Sequence, residues 1–134
     1  MKAFFDTNVL VYAASSDPKK SRADELLARR GFASAQILNE FANVARKEMR
    51  HDWADIEYAV VRFRKILDAV LPLTLETNAA AMRLARDHQL SFYDALIVAS
   101  ALEAGCDTLY SEDMQHGRVF HELTIRNPFR QGQT

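Results

Sequence analysis

Four carboxylates stand where their setting suggests chemistry: Asp6, Glu40, Asp94 and Asp113. Asp6 and Asp113 each follow a short apolar, strand-like run, Lys2 to Phe5 and Thr108 to Tyr110. In an open parallel sheet, ligands bind outside the carboxyl ends of the strands. Asp94 falls in the first turn of one helix and Glu40 on the flank of another, so both could face the same crevice. Four clustered carboxylates repel, and some would take up protons unless a cation sits among them. Oxygen-only ligands select a hard divalent ion, Mg²⁺ or Mn²⁺, which keeps several waters and bridges to phosphate. One or two such ions activate a water and neutralise the charge that develops on a phosphodiester. The chemistry open to this set is phosphodiester hydrolysis.

The elements that must position these groups can be read from periodicity and caps. The stretch from Leu90 to Gly117 organises the chain. Ser91 is an N-cap, with Asp94 three residues on as the acidic half of a capping box. From Ala95 to Ala104 the residues are apolar or small on every side apart from Ser100 and Glu103, the pattern of a helix buried all round. Gly105 closes that helix where a left-handed residue is wanted. A strand over Thr108-Leu109-Tyr110 then gives way to Ser111-Glu112-Asp113.

Upstream, Lys2 to Phe5 predicts a first strand, and Val9 to Ala13 the start of a helix. Asp17-Pro18 opens a helix that runs through Leu26-Leu27 to Gly31. Phe32-Ala33 is a short second strand. Ser34 caps a helix with Ile37, Leu38, Phe41, Val44 and Ala45 on one arc. Glu40 falls on its flank, with Lys47 two turns further along nearly the same line, roughly 10 Å away at 1.5 Å per residue. Asp52 caps a helix carrying Ile56, Ala59, Val60, Phe63, Ile66 and Leu67. Val70 to Leu75 is a strand that Pro72 confines to an edge. Thr77 caps a helix to about His88, and Leu123 to Ile125 is a last strand. Helices alternating with short strands, without tight hairpin signals, predict an α/β fold with a short, mostly parallel sheet between helices.

At 134 residues the chain is expected to form one domain, 1–134, around one core. No apolar run approaches the roughly 20 residues of a membrane span, and the N-terminus lacks a signal-peptide pattern. Cys106 is the single cysteine, so no intrachain disulfide can form and a reducing cytoplasm is expected. A formal net charge of −1 argues against nucleic-acid binding through bulk positive charge. His51, His88, His116 and His121 show no zinc spacing with Cys106, and no glycine-rich phosphate loop is present. Lys19, Lys20, Arg22, Arg29, Arg30, Arg46 and Arg50 read as solvated faces. Lys47 alone, near Glu40 by helical geometry, is a candidate RNA contact.

Taken singly, each carboxylate has an ordinary explanation. Asp6 ends a strand and caps the next helix, Asp94 caps another, Glu40 is a solvated glutamate, and Ser111-Glu112-Asp113 is turn chemistry. It is their order and local contexts together that favour an acidic site. The succession Phe5-Asp6-Thr7-Asn8, Ile37-Leu38-Asn39-Glu40-Phe41, Tyr93-Asp94-Ala95 and Leu109-Tyr110-Ser111-Glu112-Asp113 resembles a PIN domain, and within that superfamily the VapC-type toxins of bacterial toxin–antitoxin pairs. The resemblance covers essentially the whole chain. It implies a three-layer α/β/α fold and a ribonuclease dependent on Mg²⁺ or Mn²⁺. It also implies an antitoxin partner and a homodimer, with Asp6, Glu40, Asp94 and Asp113 as the acidic quartet. Asn8 and Ser111 match polar positions that orient ligands or waters; many members have threonine where Ser111 stands. Trp53, Tyr58 and Phe63 are aromatic candidates for the antitoxin groove.

Two other readings stay open. FFDTNVL is locally similar to the nucleophile motif of haloacid-dehalogenase-like phosphatases, although Asn8 replaces the second aspartate expected there. A PIN-like module that binds RNA or a partner without cutting is the other, against which an intact quartet argues.

Overall fold

The computed structural model describes residues 1–130; the domain expected over 1–134 also takes in 131–134, which lie outside the described residues. Strands β1 (Ala3–Phe5), β2 (Phe32–Ser34), β3 (Ala69–Leu71), β4 (Thr108–Tyr110), β5 (Val119–Phe120) and β6 (Leu123–Arg126) form one sheet in the order β3-β2-β1-β4-β6-β5. All neighbours run parallel except β5 and β6. Six helices connect them: α1 (Thr7–Ala13), α2 (Lys20–Ala28), α3 (Ala35–Lys47), α4 (Trp53–Ile66), α5 (Leu75–His88) and α6 (Phe92–Glu103).

This strand order dictates the layers. The chain steps outward from β1 to β2 to β3, and then returns to β4 on the far side of β1. Right-handed crossovers running in opposite directions put their helices on opposite faces. Accordingly α1 packs on α2 and α3, and α3 on α4, while α5 packs on α6. The result is the expected three-layer α/β/α arrangement. The centre is apolar and closed: Phe4, Phe5, Leu109 and Ile125 of the strands, with Leu10, Ile37, Phe41 and Val98 of the helices, are fully buried or nearly so. Residues Ala95 to Ala101 of α6 are all buried, as its unbroken apolar composition requires. No helix of the described residues is long and apolar enough to cross a membrane.

Gly31 secures the position of β1. Its φ is +154°, and a Cβ built there would lie 2.7 Å from the carbonyl oxygen of Ala3 and 2.7 Å from the ring of Phe5. Only glycine lets the chain pass so close to the central strand.

Several boundaries differ from the sequence expectation. The cap of α5 is Thr74, not Thr77; Thr77 is its capping-box partner, with each hydroxyl accepting from the other residue's backbone N–H. Asp17 does not cap α2, which begins after Lys19; instead it accepts from the Lys19 N–H in the preceding turn. Ser34 stands at the N-cap of α3, but its hydroxyl makes no capping bond and is buried without a partner. β3 ends before Pro72 and lies at the sheet edge, as the proline demands. The β5–β6 hairpin was not expected. Its two-residue turn places His121 at φ 55°, a conformation that sequence patterns associate with glycine or asparagine.

Candidate active site

The strand order reverses between β1 and β4, and it is there that an α/β sheet opens a crevice at its carboxyl edge. Asp6 leaves β1 and Ser111 leaves β4 side by side, because Phe5 pairs with Tyr110 in parallel register. Asp6 caps α1 with Oδ1, which accepts from the Thr7 N–H at 2.7 Å. Its Oδ2 accepts from the buried Ser111 hydroxyl at 2.7 Å. Burial pushes the Asp6 carboxyl up to about 6 from an ordinary 3.8. Ser111 and the Thr7 N–H pull it back down, while the negative charges of Glu40 and Asp113 push it further up. Asp6 therefore senses the charges of two of the other three carboxylates.

Glu40 reaches this centre from α3. Thr7 donates its hydroxyl to Glu40 Oε2 at 2.6 Å, and Gln36, one turn earlier on α3, donates its amide to Oε1 at 2.9 Å. The same Gln36 amide nitrogen donates to the Tyr93 carbonyl at 3.2 Å, which ties α3 to the first turn of α6 beside Asp94. Asp113 accepts from the Asn8 amide at 3.3 Å, and Asn8 Oδ1 accepts from the Glu112 N–H at 3.4 Å. Asn8 thus holds the acidic loop by both ends of its amide.

Asp94 sits half-buried in the first turn of α6, and its N–H donates to Ser91 Oγ at 3.2 Å. The reciprocal half of the expected capping box is not formed, which leaves the carboxylate uncommitted to the helix. Asp94 and Asp113 line one cavity of about 180 Å³.

Among the described residues no group of three or more His, Cys, Asp or Glu is placed to hold an ion as it stands. Neutral donors hold the carboxylates individually: Ser111 on Asp6, Thr7 and Gln36 on Glu40, Asn8 on Asp113. The donor set nonetheless fits a hard divalent cation. It is all oxygen, and the two causes that raise the Asp6 pKa, burial first and then the charges of Glu40 and Asp113, are ones a cation would offset.

Glu112 turns away from this centre. It accepts from the Tyr12 hydroxyl at 2.6 Å and pairs with Lys19 at 2.5 Å, and the Lys19 ammonium lies over the Tyr12 ring. Lys47 is exposed at the end of α3 and takes part in none of these hydrogen bonds. The sequence reading missed Gln36 and the role of Thr7. Gln36 was within reach of pattern reasoning, since it lies four residues before Glu40 on one helix face.

The sequence model of the PIN domain matches residues 3–121, and the chain belongs to that family. Membership sets aside the phosphatase reading of FFDTNVL. No curated protein matches the sequence. Among solved structures the chain is similar to VapC20 of Mycobacterium tuberculosis, described as a sarcin-ricin loop cleaving toxin, with 20% identity over 84% of this chain and 90% of that one and a TM-score of 0.70. It is similar to a toxin–antitoxin complex from Klebsiella pneumoniae, with 17% identity over 96% and 98% and a TM-score of 0.74. It is also similar to DNA-bound VapBC from Salmonella typhimurium, with 22% identity over 94% and 97% and a TM-score of 0.64. At these identities the likeness is one of fold.

Proposed function

We propose that this protein is a metal-dependent endoribonuclease acting as the toxin of a toxin–antitoxin pair, with its site built from Asp6, Glu40, Asp94 and Asp113. The observation that carries this reading is the gathering of Asp6, Glu40 and Asp113 at the strand-order reversal, where Thr7, next to Asp6, donates to Glu40 at 2.6 Å and Asn8 donates to Asp113 at 3.3 Å. A Mg²⁺ or Mn²⁺ ion held by these carboxylates would supply Lewis acidity and lower the pKa of a bound water. The chain's own contribution is positioning and electrostatics. Ser111 and the Thr7 N–H keep Asp6 ionised against its burial. Thr7 and Gln36 aim Glu40, Asn8 fixes Asp113, and Asp94 stands on the rigid start of α6.

In this reading a small antitoxin covers the acidic crevice and an apolar groove. A groove of about 480 Å³ between α2 and α4 suits it, lined by Leu27, Tyr58, Phe63 and Ile66 with Asp24 and Arg62 among its polar groups. Tyr58 is exposed there, whereas Phe63 packs edge-on against Phe41 in the core, and Trp53 is exposed beside a second groove along α3 and β3. The single domain, the homodimer and the cytoplasmic setting belong to the same proposal. Two of the similar structures, the Klebsiella complex and the Salmonella VapBC, are described as toxin–antitoxin or VapBC assemblies.

The test is a titration of Mg²⁺ and Mn²⁺ against a panel of RNAs. Cleavage should require the metal and stop with chelator; cleavage at full rate in excess EDTA refutes the mechanism. Expression without antitoxin should arrest growth, and sequencing the RNA ends left behind identifies the cut.

A further inference from the structure

The cavity that Asp94 and Asp113 share has one basic residue in its wall, Arg118, and its volume of about 180 Å³ is several times the roughly 30 Å³ of one water. Arg118 is half-buried and anchored at several points. One guanidinium nitrogen, Nη2, donates to the carbonyl of His88, at the end of α5 where helix carbonyls lack intrahelical partners. The guanidinium lies 4.6 Å from the centre of the Phe120 ring, and that ring packs edge-on against His88. The Arg118 backbone is fixed as well, its N–H donating to Gln115 and its carbonyl accepting from the Ile125 N–H.

This anchoring leaves part of the guanidinium unused. Among the described residues, Nε and Nη1 have no hydrogen-bond partner, and Arg118 forms no ion pair with Asp94 or Asp113 although all three line one cavity. A guanidinium cannot shed its proton, and its planar fork matches the oxygens of a phosphate. The side chain is ordered before any ligand arrives, so little rotamer entropy remains to be lost on binding.

We propose that Arg118 is a substrate-binding residue that grips a non-bridging phosphate oxygen of the RNA strand at the site formed by Asp94 and Asp113. The inference rests on the ribonuclease reading and adds to it the group that draws a polyanion to an acidic crevice. The four carboxylates hold the metal, and Arg118 holds the strand.

The alternative role for Arg118 is to cap α5 through His88, and Arg118→Gln separates the two. Glutamine retains a donor for the His88 carbonyl but carries no charge. Binding is measured on single-stranded RNA decamers with calcium in place of magnesium, so that it is read apart from turnover, and Mn²⁺ affinity is measured without RNA. Arg118→Gln should raise Kd for RNA at least tenfold and reduce the slope of log Kd against log salt by about 0.7, one phosphate contact on a single strand. Mn²⁺ affinity should stay level or rise, because a positive charge has left the carboxylates. Arg118→Lys, which keeps the charge and loses the fork, should fall between. Unchanged RNA affinity and salt slope in a parent-like Arg118→Gln overturns the proposal, as does a loss of RNA and Mn²⁺ binding in step with a lowered Tm. A parent protein that binds no RNA overturns the ribonuclease reading together with it.

Discussion

Ser111 and Asp6, 105 residues apart in the chain, share a buried hydrogen bond of 2.7 Å that joins the ends of β4 and β1. Ser111 lowers the pKa of a carboxylate that burial raises to about 6. A hydrogen bond to a charged group contributes about 1.5–3 kcal/mol, or roughly one to two pKa units. Ser111→Ala should therefore move the pH of half-maximal Mn²⁺ affinity up by about one to two units, and Ser111→Thr should leave it in place. Calorimetric titrations between pH 5 and 9 decide this; an unmoved profile in Ser111→Ala means the hydroxyl does not tune Asp6.

Asp6 should destabilise the metal-free protein at neutral pH. Its pKa is higher in the folded protein, about 6, than the 3.8 of an ordinary carboxyl, so the folded state binds its proton more tightly. The stability it contributes is fully present below about pH 3.8 and is lost as pH rises through about 6. At pH 7.5 the buried charge then costs about 3 kcal/mol. In EDTA at that pH, Asp6→Asn should be more stable than the parent by about 1–3 kcal/mol, with the gain gone by pH 4. Urea unfolding at the two pH values gives the comparison, and a variant weaker than the parent at pH 7.5 contradicts it.

Asp94→Asn should keep the fold and lose the chemistry. The carboxylate does not close a capping box, so asparagine should cost the helix no more than about 0.3–1 kcal/mol. A neutral amide is a poor ligand for a hard cation, and cleavage should slow at least a hundredfold, about 2.7 kcal/mol of transition-state stabilisation. Thermal unfolding in EDTA beside rates in Mg²⁺ separates the two effects: a variant that melts far below the parent assigns Asp94 a structural role.

Gln36→Leu should leave both Glu40 Oε1 and the Tyr93 carbonyl without the amide that holds them. The expected result is a fall in kcat of at least tenfold with KM little changed, and a stability loss of about 1–3 kcal/mol. A rise in KM at constant kcat would show Gln36 acting on substrate binding instead.

Cys106 is buried, and burial pushes its thiol up to about 11. In the native protein at pH 8 it should resist iodoacetamide and react promptly in guanidinium, as read by intact mass. Rapid native labelling would mean that the start of β4 opens in solution.

What could be read from the sequence was what local spacing encodes. Asp6 and Asp113 declared themselves by following strand-like runs, and α6 by an apolar stretch without a polar face. Long-range partners have no such signature. The Thr7–Glu40, Gln36–Tyr93 and Ser111–Asp6 bonds span 33, 57 and 105 residues, and only the fold brings them together. Glu112 stands beside a site residue in sequence, yet the pull of Lys19 and Tyr12 turns it away. The hairpin carries no local sequence signal because His121, rather than glycine, takes the left-handed position of its turn.

The central strand of this sheet is made first, and its partner at the acidic crevice, β4, is made long after. Asp6 leaves the ribosome 105 residues ahead of Ser111, an interval of roughly 5–20 s at ordinary rates of synthesis. Until β4 emerges, β1 lacks the neighbour that closes the crevice, and Asp6 lacks the hydroxyl that holds its carboxylate in place. On the ribonuclease reading proposed above, a nascent chain would therefore be harmless to the RNA around it for most of its own translation. In that reading the acidic site is complete only once the loop that carries Asp113 has joined the sheet, near the end of synthesis.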